Sequence, residues 1–295
     1  MSFVSEEIAS QPQCWDKAGS QAAGSATGLP RPGERVAVVG CGTSYYIALA
    51  YAGLREASGQ GETDAMPASE MLTRRRYDRL MFLSRSGTTT EVLDALGHVS
   101  PEVATTAITA DPTAPIVDAA RDVIVLDFAD ERSVVQTRFA TSALVLLRAH
   151  LGEDTAPLVP QARRALEEPV PERWLACRRF AFLGHGWTVG LAREAALKLT
   201  EAAQAWTESY PAMEFRHGPI SGADVGSLVW SFGPPPAGLA DDLHSTGADF
   251  YVSPADPLAD LIRAQRLAVA LAEKAGLDPD QPRHLSRSVI LPPAP

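Results

Sequence analysis

Short apolar runs alternate with helix-length stretches of mixed polarity along most of the chain, the pattern of a parallel sheet with crossover helices. In the first half the runs 35–40 (RVAVVG), 80–84, 104–110 and 123–127 predict strands, and the segments between them predict helices near 44–58, 89–99 and 113–120. A longer helical stretch over 134–151 closes that half. Residues 153–174 (EDTAPLVPQARRALEEPVPERW) are rich in proline and charge and make the best candidate for an interdomain connection. The pattern then restarts. The run 179–184 (RFAFLG) predicts a strand, His185 and Gly186 a turn, 188–205 a helix, 228–232 and 249–253 further strands, and 258–275 a last helix. RVAVVGCGTS and RFAFLGHGWT therefore hold equivalent places in two α/β units, which points to a duplicated fold with ligands at the carboxyl ends of its strands.

Composition narrows the partners. A chain of 295 residues, 45% apolar, has room for two domains at ~150 residues each. No apolar run approaches the ~20 residues that span a bilayer. The opening MSFVSEEIASQPQCWDKA has no basic segment followed by a hydrophobic one, so a cytoplasmic location and no membrane partner are expected. Cys14, Cys41 and Cys177 are far apart and odd in number, the usage of reduced thiols rather than of disulfides or a zinc site. A formal charge of -10 weighs against nucleic acid. The run Arg74, Arg75, Arg76 lies between Glu70 and Asp78 and reads as a solvated face.

Candidate chemistry sits in three places. In 80–96 (LMFLSRSGTTTEVLDAL) an apolar run gives way to Ser84, Arg85, Ser86, Gly87, Thr88, Thr89 and Thr90 just before a helical pattern. Such a turn either caps the helix or offers hydroxyls and N–H groups to one small anion. Loops at Cys41, Gly42, Thr43, Ser44 and at 131–137 could converge on it. GCGTSY lacks the third glycine of a dinucleotide fingerprint, and no G-x-x-x-x-G-K-[ST] occurs, so a monophosphate fits better than a nucleotide. Second, Glu194, Lys198 and Glu201 share one face of a helix otherwise rich in Ala, Leu and Val, where ionised groups need partners or a role. The alternative is a surface ion-pair ladder. Third, His217 lies on a loop before Gly218 and Pro219, as a residue type able to exchange a proton near neutral pH or as a structural loop residue.

Taken in order, CGTSYYIALA at 41–50, ASE at 68–70, SRSGTT at 84–89, EAALKLTE at 194–201, FRHGP at 215–219 and DQPRHLSRSV at 280–289 resemble the sugar isomerase (SIS) domain family. The likeness covers nearly the whole chain. It is greatest to the isomerase half of glutamine:fructose-6-phosphate aminotransferase and to the amino-sugar-phosphate deaminase/isomerases. The resemblance implies two tandem SIS domains, each a flavodoxin-like three-layer parallel sheet flanked by helices, over 21–155 and 156–279. An N-terminal segment (1–20) precedes them, and a tail (280–295) docks at the active site. It also implies a homodimer with a shared active site. Ser44, Ser84, Ser86 and Thr89 would bind the sugar phosphate, with Cys41, Gly42, Thr43, Arg85, Val134, Gln136, Glu194 and Arg287 lining the substrate. Glu201 would move a proton between C1 and C2, Lys198 would lie by the reacting oxygens, and His217, reaching in from the partner subunit, would assist ring opening. No metal or cofactor is implied.

Four departures qualify that expectation. The opening MSFVSEE does not match the aminotransferase's glutaminase domain, so glutamine is not the expected ammonia source. Arg287 stands where the family has an imine-forming lysine, and a guanidinium forms no such Schiff base. Gln136 replaces a hydroxyl, and the second half is short for a full SIS unit. The expected function is aldose–ketose isomerisation or deamination of a hexose phosphate; the alternative is a non-catalytic regulatory protein that binds a sugar phosphate.

Overall fold

The structure, a computed structural model, describes residues 2–72 and 74–292, with the Ala26 side chain outside that description. Met1 and residues 293–295 of the expected terminal segments therefore lie outside the described residues. Two helices, α1 (Phe3–Ala9) and α2 (Gln11–Gln21), come first. Strand β1 (Val36–Gly40) and helix α3 (Thr43–Ala57) follow, then β2 (Thr63–Pro67), β3 (Arg79–Leu83), α4 (Thr90–Gly97), β4 (Ala104–Thr109), α5 (Pro115–Ala119), β5 (Asp122–Val125) and α6 (Arg138–His150). The later part runs α7 (Leu158–Glu167), α8 (Glu172–Leu175), β6 (Arg179–Gly184), α9 (Thr188–Ala203), β7 (Trp206–Pro211), β8 (Ser227–Phe232), α10 (Leu239–Thr246), β9 (Asp249–Val252) and α11 (Pro257–Lys274).

The strands make two parallel sheets, β2-β1-β3-β4-β5 and β7-β6-β8-β9. The first has the flavodoxin-like order, with its topological switch point between β1 and β3, and the second repeats the first four places of that order. Among the described residues it has no counterpart of β5, in keeping with the shortness of that half. Alternation along the strands sorts the core. Val36 and Val38 of β1 and Phe180 and Phe182 of β6 face a single large cluster shared with α2, α3, α6, α7, α9 and α11. Ala37 and Val39 face α4 and α5 on the outer side of the first sheet, and Ala181 and Leu183 face α10 on the outer side of the second. The central helical layer thus lies between the sheets and brings α3 against α9.

Strands β2 and β7, at the edges of their sheets, were not expected, because TDAMP and WTESYP carry no apolar run. Residues 153–174, which run from the first sheet's closing helix to β6, are largely helical, forming α7 and α8. Prolines are tolerated there because Pro160 lies in the first turn of α7 and Pro157 and Pro171 precede helices. Leu158, Ala162 and Ala165 give α7 its buried stripe.

Candidate functional site

The two Gly-x-Gly turns after β1 and β6 adopt the same backbone, with Gly42 at φ 52° and Gly186 at φ 54°. Their surroundings differ. Thr188 spends its hydroxyl on the Phe232 carbonyl at 2.8 Å, and the loop after β8 is GPPPAG, with no hydroxyl to offer. In the first sheet, Thr43 and Ser44 open α3 and are buried, and the 84–89 loop leaves the neighbouring strand β3. The hydroxyl-bearing loops therefore meet at the switch point of the five-stranded sheet only. Half-buried Cys41 sits at the base of the first loop, its thiol pushed up by burial.

Gly87 makes the second loop possible. At φ 61° it occupies the left-handed region, and a Cβ there would lie 2.5 Å from that of Ala114. Ser84 Oγ accepts from the Gly87 N–H at 3.2 Å, and Thr88 donates to Ser86 Oγ from its hydroxyl at 3.1 Å. The side chain of Thr89, the N-cap of α4, makes no capping hydrogen bond. Helix capping is thus not what these hydroxyls do. Ser86, Thr88 and Thr89 instead surround Ser288 Oγ at 3.1, 3.0 and 3.3 Å.

Arg85, 1% exposed, has its guanidinium engaged elsewhere. It donates to Glu131 (3.3 Å) and to the carbonyls of Ser133 (3.0 Å), Val134 (3.3 Å) and Arg287 (3.1 Å). It ties the 84–89 loop to the 131–137 loop and to the tail. Glu131 also accepts from the N–H groups of Thr137 (2.5 Å) and Arg138 (2.7 Å), so a carboxylate caps the N-terminus of α6. From the other side Glu7 of α1 accepts from the N–H groups of Arg132 (2.5 Å) and Ser133 (3.2 Å) and is held above its usual range by burial. Gln136 on the same loop keeps Oε1 buried and without a hydrogen-bond partner. Arg287 is turned toward Asp130 and donates to the Glu131 carbonyl at 3.1 Å.

The ionisable cluster lies where α3 and α9 cross. A Cβ on Gly190 would come within 2.5 Å of the Tyr46 carbonyl oxygen, so the two backbones nearly touch. That approach puts Thr43 Oγ1 2.9 Å from Lys198 Nζ and 3.4 Å from Glu194 Oε1. Lys198 Nζ is also 2.5 Å from Glu201 Oε2 and 3.5 Å from Glu194 Oε1. Lys198 and Glu194 are fully enclosed, whereas the Glu201 side chain keeps 18% of its surface exposed. Burial pushes the Glu194 carboxyl up to about 8 against the pull of Lys198, and its Oε2 has no partner. Burial works to lower the Lys198 pKa, but the two carboxylates outweigh it and hold the ammonium above its ordinary value. The surface-ladder alternative does not apply.

His217 lies apart. It is exposed on the turn after β7 and, among the described residues, makes no side-chain hydrogen bond, while Arg216 beside it is paired with Asp242 at 2.7 Å. Ser288, Glu131, Glu7 and Asp280 join the site region without having been singled out. Asp280 accepts from the N–H groups of Phe3 and Val4 at 2.8 Å and so ties α1 to the tail. Ser288 and Asp280 lie inside the DQPRHLSRSV motif and Glu131 opens the 131–137 loop, whereas Glu7 had no signal in the sequence.

Two parallel α/β sheets, hydroxyl loops at one switch point and a Glu-Lys-Glu set on α9 where it crosses α3 make up the region described. No family model matches the chain. The isomerizing glutamine–fructose-6-phosphate aminotransferases of Methanothermobacter thermautotrophicus and Campylobacter jejuni are 29% and 28% identical to it, each over 88% of this chain and 52% of their own. The chain thus spans about half the length of the curated relatives it matches. Among solved structures, glucosamine-6-phosphate deaminase from Thermotoga maritima superimposes with a TM-score of 0.81 at 25% identity, covering 98% of this chain and 100% of the other. The C-terminal domain of glucosamine-fructose-6-phosphate aminotransferase from Francisella tularensis has the same fold, with a TM-score of 0.81, 20% identity and coverage of 96% and 98%. The chain accordingly resembles SIS-domain proteins, among them the isomerase half of the aminotransferase.

Proposed function

We propose that this chain is a phosphosugar-processing enzyme, an aldose–ketose isomerase or amino-sugar-phosphate deaminase/isomerase acting on a hexose phosphate. The observation that carries the reading is the bond between Lys198 and Thr43. It joins the buried acid–base cluster of α9 to the residue beside Ser44, at the switch point where the hydroxyl loops gather. In this reading the two sheets are tandem SIS domains, 21–155 and 156–279, with the 1–20 segment and the tail packed around the first.

Moving a proton between C1 and C2 needs an opened sugar, a carboxylate and a cation for the enediolate charge. Ser44, Ser84, Ser86 and Thr89 hold the phosphate, and Cys41, Gly42, Val134 and Gln136 shape the space beside it. Glu201, the carboxylate that retains exposure, carries the proton. Lys198, kept charged beside the Glu201 carboxylate, stabilises the developing oxyanion, and Thr43 and Glu194 fix its position. His217, exposed and not hydrogen-bonded to this cluster within one chain, serves the partner subunit of a homodimer, where it assists ring opening. Arg287 anchors the tail through Asp130 in place of imine chemistry. The likeness to the deaminase supports an amino sugar as substrate.

Glu201→Gln tests the assignment. It is expected to lower turnover by about 10²- to 10⁴-fold, the range for loss of a general base, while phosphosugar binding stays measurable. Near-normal turnover in that variant would remove Glu201 from the mechanism.

A further inference from the structure

The oxygen atoms that meet the 84–89 loop come from the chain itself. Ser288 Oγ lies within hydrogen-bond distance of three hydroxyls, on Ser86, Thr88 and Thr89. A serine hydroxyl has one donor and two acceptor sites, so three neighbours saturate it. The next residue, Val289, accepts the Thr90 N–H on its carbonyl at 3.1 Å. That N–H opens α4 and has no partner within the helix. Two adjacent oxygens of the tail thus occupy the hydroxyl and amide donors that an anion at this helix terminus would use.

The segment is held by polar ties. Leu291 N–H donates to Thr90 Oγ1 at 2.9 Å, Arg85 Nη2 to the Arg287 carbonyl at 3.1 Å, and Arg287 reaches Asp130 and the Glu131 carbonyl. Apolar anchoring is slight, since Val289, Ile290 and Leu291 remain 50%, 70% and 50% exposed. Such a contact exchanges readily, because each hydrogen bond is worth only about 0.5–1.5 kcal/mol net and little apolar surface leaves with it.

We propose that residues 286–291 are a displaceable internal occupant of the anion loop, with Ser288 Oγ and Val289 O standing where two oxygens of a phosphate bind. The inference rests on the phosphate-binding reading of the loop. Ligand entry then requires the segment to leave, and the apparent affinity falls by the fraction of molecules in which it is already away. The opposite arrangement, in which Ser288 is itself a phosphate ligand, predicts effects of the opposite sign.

The experiment titrates the full chain with inorganic phosphate by calorimetry and follows hydrogen exchange over 286–291. It compares the unaltered protein with Ser288→Ala and with deletion of residues 288–295. Both variants are expected to bind phosphate about three- to tenfold more tightly, and phosphate should raise exchange across the segment in the unaltered protein. Weaker or unchanged binding in both variants, or greater protection of 286–291 on adding phosphate, would overturn the displaceable-occupant role while leaving the anion loop standing. Absence of phosphate binding in all three proteins would overturn the phosphate reading of the loop and this inference with it.

Discussion

Glu194, Lys198 and Glu201 share one enclosed space with a single positive charge among them. If all three were ionised the cluster would carry a net negative charge in a medium that solvates it poorly, so one carboxyl does best by keeping its proton. Glu194, fully enclosed, is that group. Its folded pKa of about 8 lies above the ordinary 4.5, so its contribution to stability is fully present below about 4.5 and is lost as pH rises toward and through about 8. Glu194→Gln, which keeps the size and removes the titration, should therefore flatten the pH dependence. Its melting temperature relative to the unaltered protein should climb between pH 4.5 and 8; parallel curves would show that Glu194 stays ionised throughout.

In the anion loop, Ser86→Ala with Thr89→Ala should raise KM for phosphorylated sugars about tenfold or more, with a smaller change in kcat, since two hydrogen bonds to a charged group are lost. An unchanged KM would separate the loop from the phosphate. Residue types at these places were legible in the sequence because hydroxyls beside a glycine, and ionisable groups on an apolar helix, announce chemistry. Destinations were not. Arg85 sits inside SRSGTT, and nothing in the motif says that its guanidinium turns to Glu131 and to carbonyls of the tail.

Among the elements, α3 and α9 decide whether the cluster exists. Their backbones meet at Gly190, where a Cβ would also lie 2.7 Å from the Ala50 amide nitrogen. Backbone atoms on the α3 side cannot rotate away, so Gly190→Ala should force the helices apart. The expected cost is about 1–3 kcal/mol, read as a lower denaturation midpoint, together with a larger loss of kcat than the stability change explains, since Thr43 would move from Lys198. A variant as stable and as active as the parent would show that the crossing tolerates a wider spacing. Central strands and long helices were readable from apolar runs and helical periodicity. The edge strands β2 and β7 were not, because Thr63–Pro67 and Trp206–Pro211 are only partly covered and carry polar residues. The helices within 153–174 were hidden by its prolines, which break a helix interior but not a first turn.

At the scale of the whole molecule, repetition of RVAVVGCGTS and RFAFLGHGWT foretold two similar sheets, and the shortness of the second half foretold that one would be smaller. Their division of labour was harder to read. The first sheet supplies the hydroxyl loops, and the second supplies a helix that brings Lys198 to Thr43, its own turn being closed by Thr188 and a proline-rich loop. The packing of α1 and the tail around the 131–137 loop, through Glu7, Asp280 and Arg287, joins residues too far apart in sequence for any local pattern to reveal. The proposed enzyme would use both the 84–89 loop and the Glu194, Lys198 and Glu201 set, whereas a sensor would need only the loop. The most direct measurement incubates the protein in deuterated water with a panel of hexose and amino-sugar 6-phosphates and follows the C2 proton by NMR. The account predicts exchange with at least one phosphorylated sugar and none with its unphosphorylated form; binding without exchange across the whole panel would contradict it.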